Sequence, residues 1–213
     1  MFEKLLANQL RNPSGLIGKF VSRWMNRSNV AVYNIALELV EKSNQGRLLE
    51  IGFGGGALLK MAVDCGSFRT VTGIDTSIDM VKRVQRNLHG HIRQGKLDVQ
   101  YGDIADIPFA PGTFDAVVSL NTIYFWPSLK IGVSECSRVL SNDGILVLGF
   151  DDKTEMNQWP GHHNGFKMYD VDEVQAVLDS FGFSKIEVVS GETSEWGLFH
   201  CVHGRKKANP VDK

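Results

Sequence analysis

An alternation of strand-like and helix-like segments, beginning near residue 47, constrains the fold of this 213-residue chain more than any other feature. Short apolar or β-branched runs recur, and segments with apolar residues at helical spacing lie between several of them. Strands separated by helices form βαβ units, which assemble into a largely parallel sheet covered on both faces. The predicted strands of this kind are RLLEIG (47–52), TVTGID (70–75), LDVQYG (97–102), TFDAVVSL (113–120) and GILVLGF (144–150).

Two more strand-like runs follow near the end of the chain, SKIEVVS (184–190) and WGLFHCVHG (196–204). Only GETSE separates them, which is too short for the crossover that joins parallel strands. We therefore expect this last pair to form an antiparallel hairpin. Ahead of the pair, Asp170 and Glu173 predict a capping box at the start of a helix over 170–182.

The turn after the first predicted strand is rich in glycine, since four of the five residues from 52 to 56 are Gly and the other is Phe53. In a doubly wound sheet, ligands bind beyond the carboxyl ends of the strands. Backbone without Cβ atoms can bend sharply and approach a ligand closely, and the following helix offers unpaired N–H groups. We interpret the turn as a ligand-binding loop. The alternative is a tight strand–helix turn that binds nothing.

Three acidic residues lie at or near predicted strand ends around this loop. Glu50 would be buried two residues before Gly52, where a carboxylate needs polar or cationic partners. Asp75 ends the second strand, roughly 20 residues beyond the glycines, where an acid can accept both ribose hydroxyls; its alternative role is in a helix cap. Asp103 could reach the exocyclic amine of an adenine, with Ile104 over one ring face. On its own this last segment is a turn that contains an acid.

The order of these motifs resembles one family. The segment from Glu50 to Gly56 satisfies the E-x-G-x-G-x-G signature of the class I S-adenosylmethionine-dependent methyltransferases, and Asp75, GDIADIPF and FDAVVSLNTIYFWP follow in the family's order. Over residues 46–205 the chain resembles the small-molecule branch that includes ubiquinone/menaquinone methyltransferases. The resemblance implies S-adenosylmethionine as cofactor and a Rossmann-like α/β fold: a doubly wound sheet of seven strands, mostly parallel with an antiparallel last strand. It implies cofactor contacts at Glu50, Gly52, Phe53, Gly54, Gly56, Asp75, Thr76, Met80, Asp103, Ile104 and Asn121.

Residues outside these motifs should receive the methyl group's acceptor. Methyl transfer is an in-line displacement that needs position and a dry pocket more than a protein nucleophile. Tyr124 could orient the acceptor or pack against the sulfonium, and His162 could act as a base. The alternatives are that the 124–126 aromatics pack a loop and that His162 and His163 are exposed. We find no partner set for a metal ion and expect none to be bound.

Residues 1–46 lie outside the signature. We expect an N-terminal helical lid here, a methyltransferase domain over 47–205 and a flexible tail over 206–213. Apolar residues within 16–25 fall on one helical stripe, with Lys19 and Arg23 on the other side. Core packing and transient contact with a membrane surface are the other interpretations of this stripe.

The overall composition narrows the compartment and the partners. A net charge of −1 and the absence of an added basic domain argue against nucleic acid and leave a small-molecule acceptor. Three scattered cysteines, no apolar run of membrane-spanning length and no signal-peptide pattern indicate a cytoplasmic protein. Two other functions stay open: an NAD-dependent oxidoreductase, since Gly52, Gly54 and Ala57 fit G-x-G-x-x-G/A, and a non-catalytic cofactor-binding module.

Overall fold

A computed structural model describes residues 29–41, 46–158, 160–193 and 197–208. In this part of the chain the strands are β1 Arg47–Ile51, β2 Thr70–Asp75, β3 Leu97–Tyr101, β4 Phe114–Leu120, β5 Leu140–Asp151, β6 Phe183–Thr193 and β7 Gly197–Lys206. The α-helices are α1 Val30–Glu41, α2 Ala57–Asp64, α3 Ile78–Asn87, α4 His89–Arg93, α5 Leu129–Val139, α6 Lys153–Gln158 and α7 Val171–Ser180. Two 3₁₀ helices cover Ile123–Phe125 and Pro160–His163.

All seven strands form one sheet in the order β3-β2-β1-β4-β5-β7-β6. The pairs from β3 to β5 are parallel, whereas β7 runs antiparallel to both β5 and β6. The predicted Rossmann-like sheet and its closing hairpin are therefore confirmed. Chain order reverses between β1 and β4, so a crevice at the carboxyl ends of these two strands is the expected ligand site.

Two layers of helices bury the two faces of the sheet. Alternate side chains of β1 point to opposite faces, since Leu48 packs with the cluster under α1, α2 and α3 whereas Leu49 packs with the cluster under α5 and α7. Glu50 follows on the Leu48 side. The capping box predicted for α7 is present, with the Asp170 N–H donating to Glu173 Oε2 at 2.8 Å.

Helix α1 lies within the segment that was expected to be helical. It packs on the sheet through buried residues that include Val32, Ala36 and Val40, so the chain preceding β1 contributes to the core. Helix α6, which follows β5, was not indicated by the sequence patterns. The apolar stripe at 16–25 lies outside the described residues, and the domain boundaries at 46 and 205 stay predictions. Within the described ranges, no helix is long and apolar enough to cross a membrane.

Candidate functional site

The glycine loop joins β1 to α2 and turns through left-handed backbone at three positions. Gly52, Gly54 and Gly56 have φ of 74°, 47° and 74°, which residues with a Cβ rarely adopt. The Gly52 N–H donates to the Ile74 carbonyl at 2.8 Å, and the Gly56 N–H donates to the Phe53 carbonyl at 2.8 Å. These bonds fix the loop against β2 at the carboxyl edge of the sheet.

The three glycines are required for different reasons. A Cβ at Gly52 would lie 2.5 Å from Thr122 Cγ2, and one at Gly56 would lie 2.8 Å from Val84 Cγ2. A Cβ at Gly54 would meet no atom within 4 Å. Packing thus requires glycine at Gly52 and Gly56, whereas Gly54 is the position where the loop faces open space. The cofactor contacts of all three glycines stay predictions.

Asp75 links the tip of β2 to the glycine loop. Its carboxylate accepts the Gly54 N–H through Oδ2 and the Ser77 N–H through Oδ1, both at 2.8 Å. Burial raises the pKa of Asp75 despite these two bonds. The same side chain thus fixes the loop and places a hydrogen-bond acceptor at the edge of the crevice. The N-cap of α3 is Ser77, whose hydroxyl accepts the Met80 N–H at 3.4 Å.

Glu50 holds an oxygen with no hydrogen-bond partner in the described part of the chain. Glu50 is 4% exposed. Its carboxylate accepts the backbone N–H of Leu59 in the first turn of α2. The N-cap of that helix is Gly56, which has no side chain to bond the N–H groups of the first turn. The other oxygen, Oε2, is buried and unpaired within the described residues. Burial, and then the nearby Asp75 charge, raises the pKa of Glu50 to about 8.

An unpaired buried carboxylate oxygen is costly, so a ligand group that donates a hydrogen bond or carries positive charge would fit it. Tyr33 of α1 also lies near this carboxylate. Burial and the Glu50 charge raise the pKa of the Tyr33 phenol, and Asn29 forms a hydrogen bond with it. The sequence analysis did not identify Tyr33 or Asn29, because both precede the recognised motifs. No local sequence pattern connects Tyr33 to Glu50.

The remaining predicted cofactor residues fall into two groups. Phe53 and Met80 are buried members of the hydrophobic cluster under α2 and α3. Ile104 is 7% exposed. Asp103 is exposed, and its carboxylate accepts the Ala105 N–H of the same turn at 2.9 Å. Thr76, next to Asp75 in the chain, is also exposed. The exposed side chains of Asp103 and Thr76 are accessible to a nucleoside across β2 and β3, while the roles of all five stay predictions.

A second polar group lies at the carboxyl ends of β4 and β5. Asn121 has φ of 56°, and its N–H donates to the Gly149 carbonyl at 2.8 Å. The Tyr124 phenol oxygen accepts the Asp151 N–H at 2.5 Å and lies 3.5 Å from Asn121 Oδ1. The phenol also forms a hydrogen bond with the Asp151 carboxylate. Asn121, Tyr124 and Asp151 are thus brought together from two different strands.

Aromatic packing fixes the other side of Tyr124. Its ring centroid lies 5.8 Å from that of Phe166, and the Phe125 and Phe166 centroids are 4.7 Å apart. The Lys167 N–H donates to the Tyr124 carbonyl at 3.0 Å, which ties the two loops together. Tyr124 therefore packs a loop, as the alternative interpretation had it, and presents a bonded phenol at the same time.

His162 lies in the 3₁₀ helix Pro160–His163, half-buried, with its ring centroid 3.7 Å from that of the exposed His163. Its role as a base stays a prediction. Among the described residues, no group of three His, Cys, Asp or Glu side chains could hold a metal ion.

Asp151 is the ionisable residue of this region that sequence reasoning missed. It ends β5, is 8% exposed, and burial raises its pKa to about 7 while the Tyr124 bond acts in the opposite direction. The available signal was an acid immediately after a long apolar strand.

Comparison with known proteins shows similarity to methyltransferases. Residues 49–148 match a family model described as a methyltransferase domain. The malonyl-[acyl-carrier protein] O-methyltransferase of Geobacter sulfurreducens is 27% identical over 175 residues, covering 76% of this chain and 64% of that protein. The demethylmenaquinone methyltransferase of Desulfitobacterium hafniense is 30% identical over 135 residues, covering 63% and 52%. The chain thus spans about half to two thirds of the length of these relatives.

Solved structures show the same fold. A methyltransferase in complex with the Haloferax volcanii Trm112 methyltransferase activator superposes with a TM-score of 0.76 at 16% identity, covering 88% of this chain and 93% of that one. The sheet order, the glycine loop and the ordered motifs agree with these matches. Over residues 49–148 the chain matches a methyltransferase domain, and these similarities together support a class I S-adenosylmethionine-dependent methyltransferase.

Proposed function

We propose that this protein transfers a methyl group from S-adenosylmethionine to a small-molecule acceptor. The observation that carries the proposal is the buried, unpaired Oε2 of Glu50 beside a glycine loop that faces open space at Gly54. The ammonium group of the cofactor's amino acid part supplies the donor and the positive charge that this oxygen requires. A nicotinamide dinucleotide would instead bring a pyrophosphate, which an adjacent carboxylate repels.

The cofactor would extend over the ends of β1, β2 and β3. Glu50 and the glycine loop would hold the amino acid part, Asp75 and Thr76 the ribose, and Asp103 and Ile104 the adenine. Phe53 and Met80 would support the site from the core, and Asn121 would contact the cofactor from β4. Two N–H groups already bind Asp75, but a carboxylate has about four lone-pair sites and can accept ribose hydroxyls as well.

The cofactor, when bound, supplies an activated methyl group on a sulfonium. The chain's own residues position the reacting groups and exclude water, and orientation of this kind contributes on the order of 7–11 kcal/mol in well-aligned reactions. Tyr124 would orient the acceptor at the ends of β4 and β5. His162 is a second candidate for the acceptor side, in the loop next to Phe166.

The names of the relatives suggest acceptor classes. One acts on malonyl-[acyl-carrier protein], another on demethylmenaquinone, and a third is a fatty-acid O-methyltransferase. We propose a small molecule of this general kind, held in place by the segment over 121–127. The three cysteines are free thiols, which supports a reducing compartment such as the cytoplasm.

Binding of S-adenosylhomocysteine and of NAD, measured by thermal shift and calorimetry, tests the cofactor. We expect only S-adenosylhomocysteine to raise the melting temperature. Asp75→Ala should weaken its binding about 10- to 100-fold, because bonds to a charged group contribute roughly 1.5–3 kcal/mol. Asp98→Ala, at an exposed acid on β3, is the matched control.

A shift with NAD alone would refute the proposal. Binding followed by no transfer to quinols, thiols, amines, fatty acids or phospholipid headgroups would instead favour a non-catalytic binding module.

A further inference from the structure

A chain of three hydrogen-bonded side chains lies beyond the acceptor half of the site, which is the part at the carboxyl ends of β4 and β5. The Ser190 hydroxyl on β6 lies 2.8 Å from His200 Nδ1 on β7. His200 Nε2 lies 3.2 Å from Oδ2 of Asp152, the residue that follows β5. Three separate elements thus bring a hydroxyl, an imidazole and a carboxylate together, and the proposed methyl transfer uses none of them.

The carboxylate of Asp152 is fixed by the first turn of α6. Its Oδ1 accepts the N–H of Thr154 at 2.8 Å and that of Glu155 at 3.3 Å, which leaves Oδ2 for His200. Burial acts to raise the pKa of Asp152, but the bonds from His200 and from the two N–H groups hold it below its ordinary value. The ionised carboxylate only accepts hydrogen bonds, so His200 Nε2 is the donor.

The direction of the second bond follows from the first. In the neutral ring that carries its hydrogen on Nε2, His200 Nδ1 has a free lone pair and accepts the Ser190 O–H. His200 is 9% exposed, and its ring centroid lies 5.9 Å from that of Phe150. Ser190 is exposed. The imidazole is therefore held inside the protein, while the hydroxyl that it can deprotonate is accessible from solvent.

The stability of the sheet does not require this chain of bonds. Backbone pairing joins β6 to β7 on both sides of Ser190, from Glu187 to Thr193. His203, on the same strand as His200, shows the contrast: its Nε2 lies 3.8 Å from Glu187 Oε2 and has no hydrogen-bond partner among the described residues. Bonding at both ring nitrogens thus distinguishes His200 from the other histidine of this strand that faces an acid.

A hydroxyl bonded to a base, with the base oriented by a third group, is the arrangement of nucleophilic catalysis. In the described part of the chain β6 is the outer strand and pairs with β7 alone, so alternate N–H groups on its outer side have no strand partner and can donate to a developing oxyanion. We propose that Ser190 is a nucleophile that hydrolyses small carboxylic esters, with His200 as its base and Asp152 as the residue that orients the base. This activity is separate from methyl transfer.

The reaction has two steps. Ser190 Oγ forms a bond to the carbonyl carbon of the ester and gives its proton to His200 Nδ1, and the C–O bond to the alcohol breaks as the alcohol oxygen takes that proton. Water then attacks the acyl-serine, passes a proton to His200, and releases the carboxylic acid as the proton returns to Ser190. The substrate should be small, because the hydroxyl lies on an exposed edge strand.

Hydrolysis of p-nitrophenyl acetate and labelling by diisopropyl fluorophosphate test the proposal. In the labelling reaction Ser190 Oγ forms the O–P bond and fluoride leaves. Wild-type protein should release p-nitrophenol, and mass spectrometry should locate the phosphoryl adduct on Ser190. Ser190→Ala should abolish the adduct and lower the rate of hydrolysis by about 100-fold or more. Ser184→Ala is the matched control, since that hydroxyl on the same strand bonds to the Arg205 carbonyl at 3.3 Å.

Asp152→Asn tests the orienting role. The Asn oxygen would keep the Thr154 N–H and present its NH₂ group to His200, so the ring hydrogen should move from Nε2 to Nδ1, where it can no longer accept the Ser190 proton. Nitrogen-15 NMR of the His200 ring should show this change of tautomer, and the rate of labelling should fall by about 100-fold.

Binding of S-adenosylhomocysteine should be unchanged in every variant and reports whether each is folded. If Asp152→Asn does not fold, Ser190→Ala decides, because it removes only an exposed hydroxyl. An adduct at another residue, hydrolysis by Ser190→Ala at the wild-type rate, or a wild-type tautomer with the hydrogen on Nδ1 would overturn the inference. Failure of wild-type protein to bind S-adenosylhomocysteine would instead refute the proposed function.

Discussion

The two halves of the sheet's carboxyl edge are built in different ways. On the side of β1 and β2, the glycine loop is fixed largely by backbone groups, such as the Gly54 N–H bonded to Asp75 and the Gly52 N–H bonded to Ile74. On the side of β4 and β5, the Tyr124 phenol accepts the Asp151 N–H at 2.5 Å and lies 3.5 Å from Asn121 Oδ1, while its ring packs against Phe166. A backbone cradle suits a ligand common to a whole family, whereas a side-chain cluster can change with the acceptor.

Buried carboxylates with raised pKa values lie in both halves: Glu50 and Asp75 on the side of β1 and β2, and Asp151 on the side of β4 and β5. Glu50 and Asp151 differ in their partners. Glu50 accepts the Leu59 N–H at the start of α2, and its Oε2 has no hydrogen-bond partner among the described residues. A positively charged ligand group could pair with this oxygen. Asp151 bonds to the Tyr124 phenol, a neutral donor. The buried charge is thus partly stabilised by a neighbouring side chain on one side and left for a ligand on the other.

The largest effect is expected from Glu50→Gln. The folded pKa of about 8 exceeds the ordinary value of 4.5, so the folded protein binds a proton that the unfolded chain releases between these values. This contribution to stability is complete below the lower value and is lost as pH rises through the upper one. Gln cannot ionise. Without bound cofactor, the variant should therefore have a free energy of unfolding higher than that of wild type near pH 9, by on the order of 3–5 kcal/mol.

The same variant should bind S-adenosylhomocysteine about 100-fold more weakly, since the ammonium group loses its charged partner. Urea unfolding at two pH values and calorimetry measure the two effects, with Glu187→Gln, at a side chain that is 72% exposed, as control. Equal stability of variant and wild type at high pH would show that burial does not disfavour the Glu50 charge. Undiminished affinity would remove Glu50 from the ammonium contact.

Alanine substitutions at two glycines of the same loop should distinguish packing against the β4 side from contact with the cofactor. Gly52→Ala places a methyl group against Thr122, on the β4 side, in left-handed backbone, and should cost about 2–4 kcal/mol of stability. Gly54→Ala should cost about 1–2 kcal/mol but should weaken S-adenosylhomocysteine binding more, because its methyl group enters the open space above the loop.

Gly66→Ala is the matched control, since Gly66 has φ of 71° and open space around it away from the loop. Urea unfolding and calorimetry on the three variants give the comparison. If Gly54→Ala bound S-adenosylhomocysteine as wild type does, the space above Gly54 would not belong to the cofactor site.

The sequence predicted the cofactor half more completely than the acceptor half. Strand ends, glycines and acids such as Asp75 are local signals, and parallel topology brings neighbouring strand ends to one edge. The bond between Tyr124 and Asp151 joins residues 27 positions apart through a 3₁₀ turn and a strand end, neither of which has a distinctive pattern. The packing of α1 beside Glu50 likewise depends on tertiary contacts, because Tyr33 looks like any apolar-face residue of a helix.

The smallest effect, and the finest test of the difference between the halves, is expected from Phe166→Ala. Phe166 packs against Tyr124 and Phe125 in the acceptor half. Aromatic pairs contribute roughly 0.5–1.5 kcal/mol beyond area burial, so stability should fall by about 1 kcal/mol, or about 2–4 °C in melting temperature for a chain of this size. A less restrained Tyr124 should raise the KM for the methyl acceptor several-fold.

Affinity for S-adenosylhomocysteine should not change in this variant, because the glycine loop and Asp75 are held by other contacts. Steady-state kinetics and calorimetry measure the two quantities. Phe109→Ala, which removes the half-buried member of another aromatic pair with centroids 5.0 Å apart, controls for general loss of packing. Equal changes in KM and in cofactor affinity would mean that the two halves act as one unit, since an aromatic cluster of the acceptor half would then also position the cofactor.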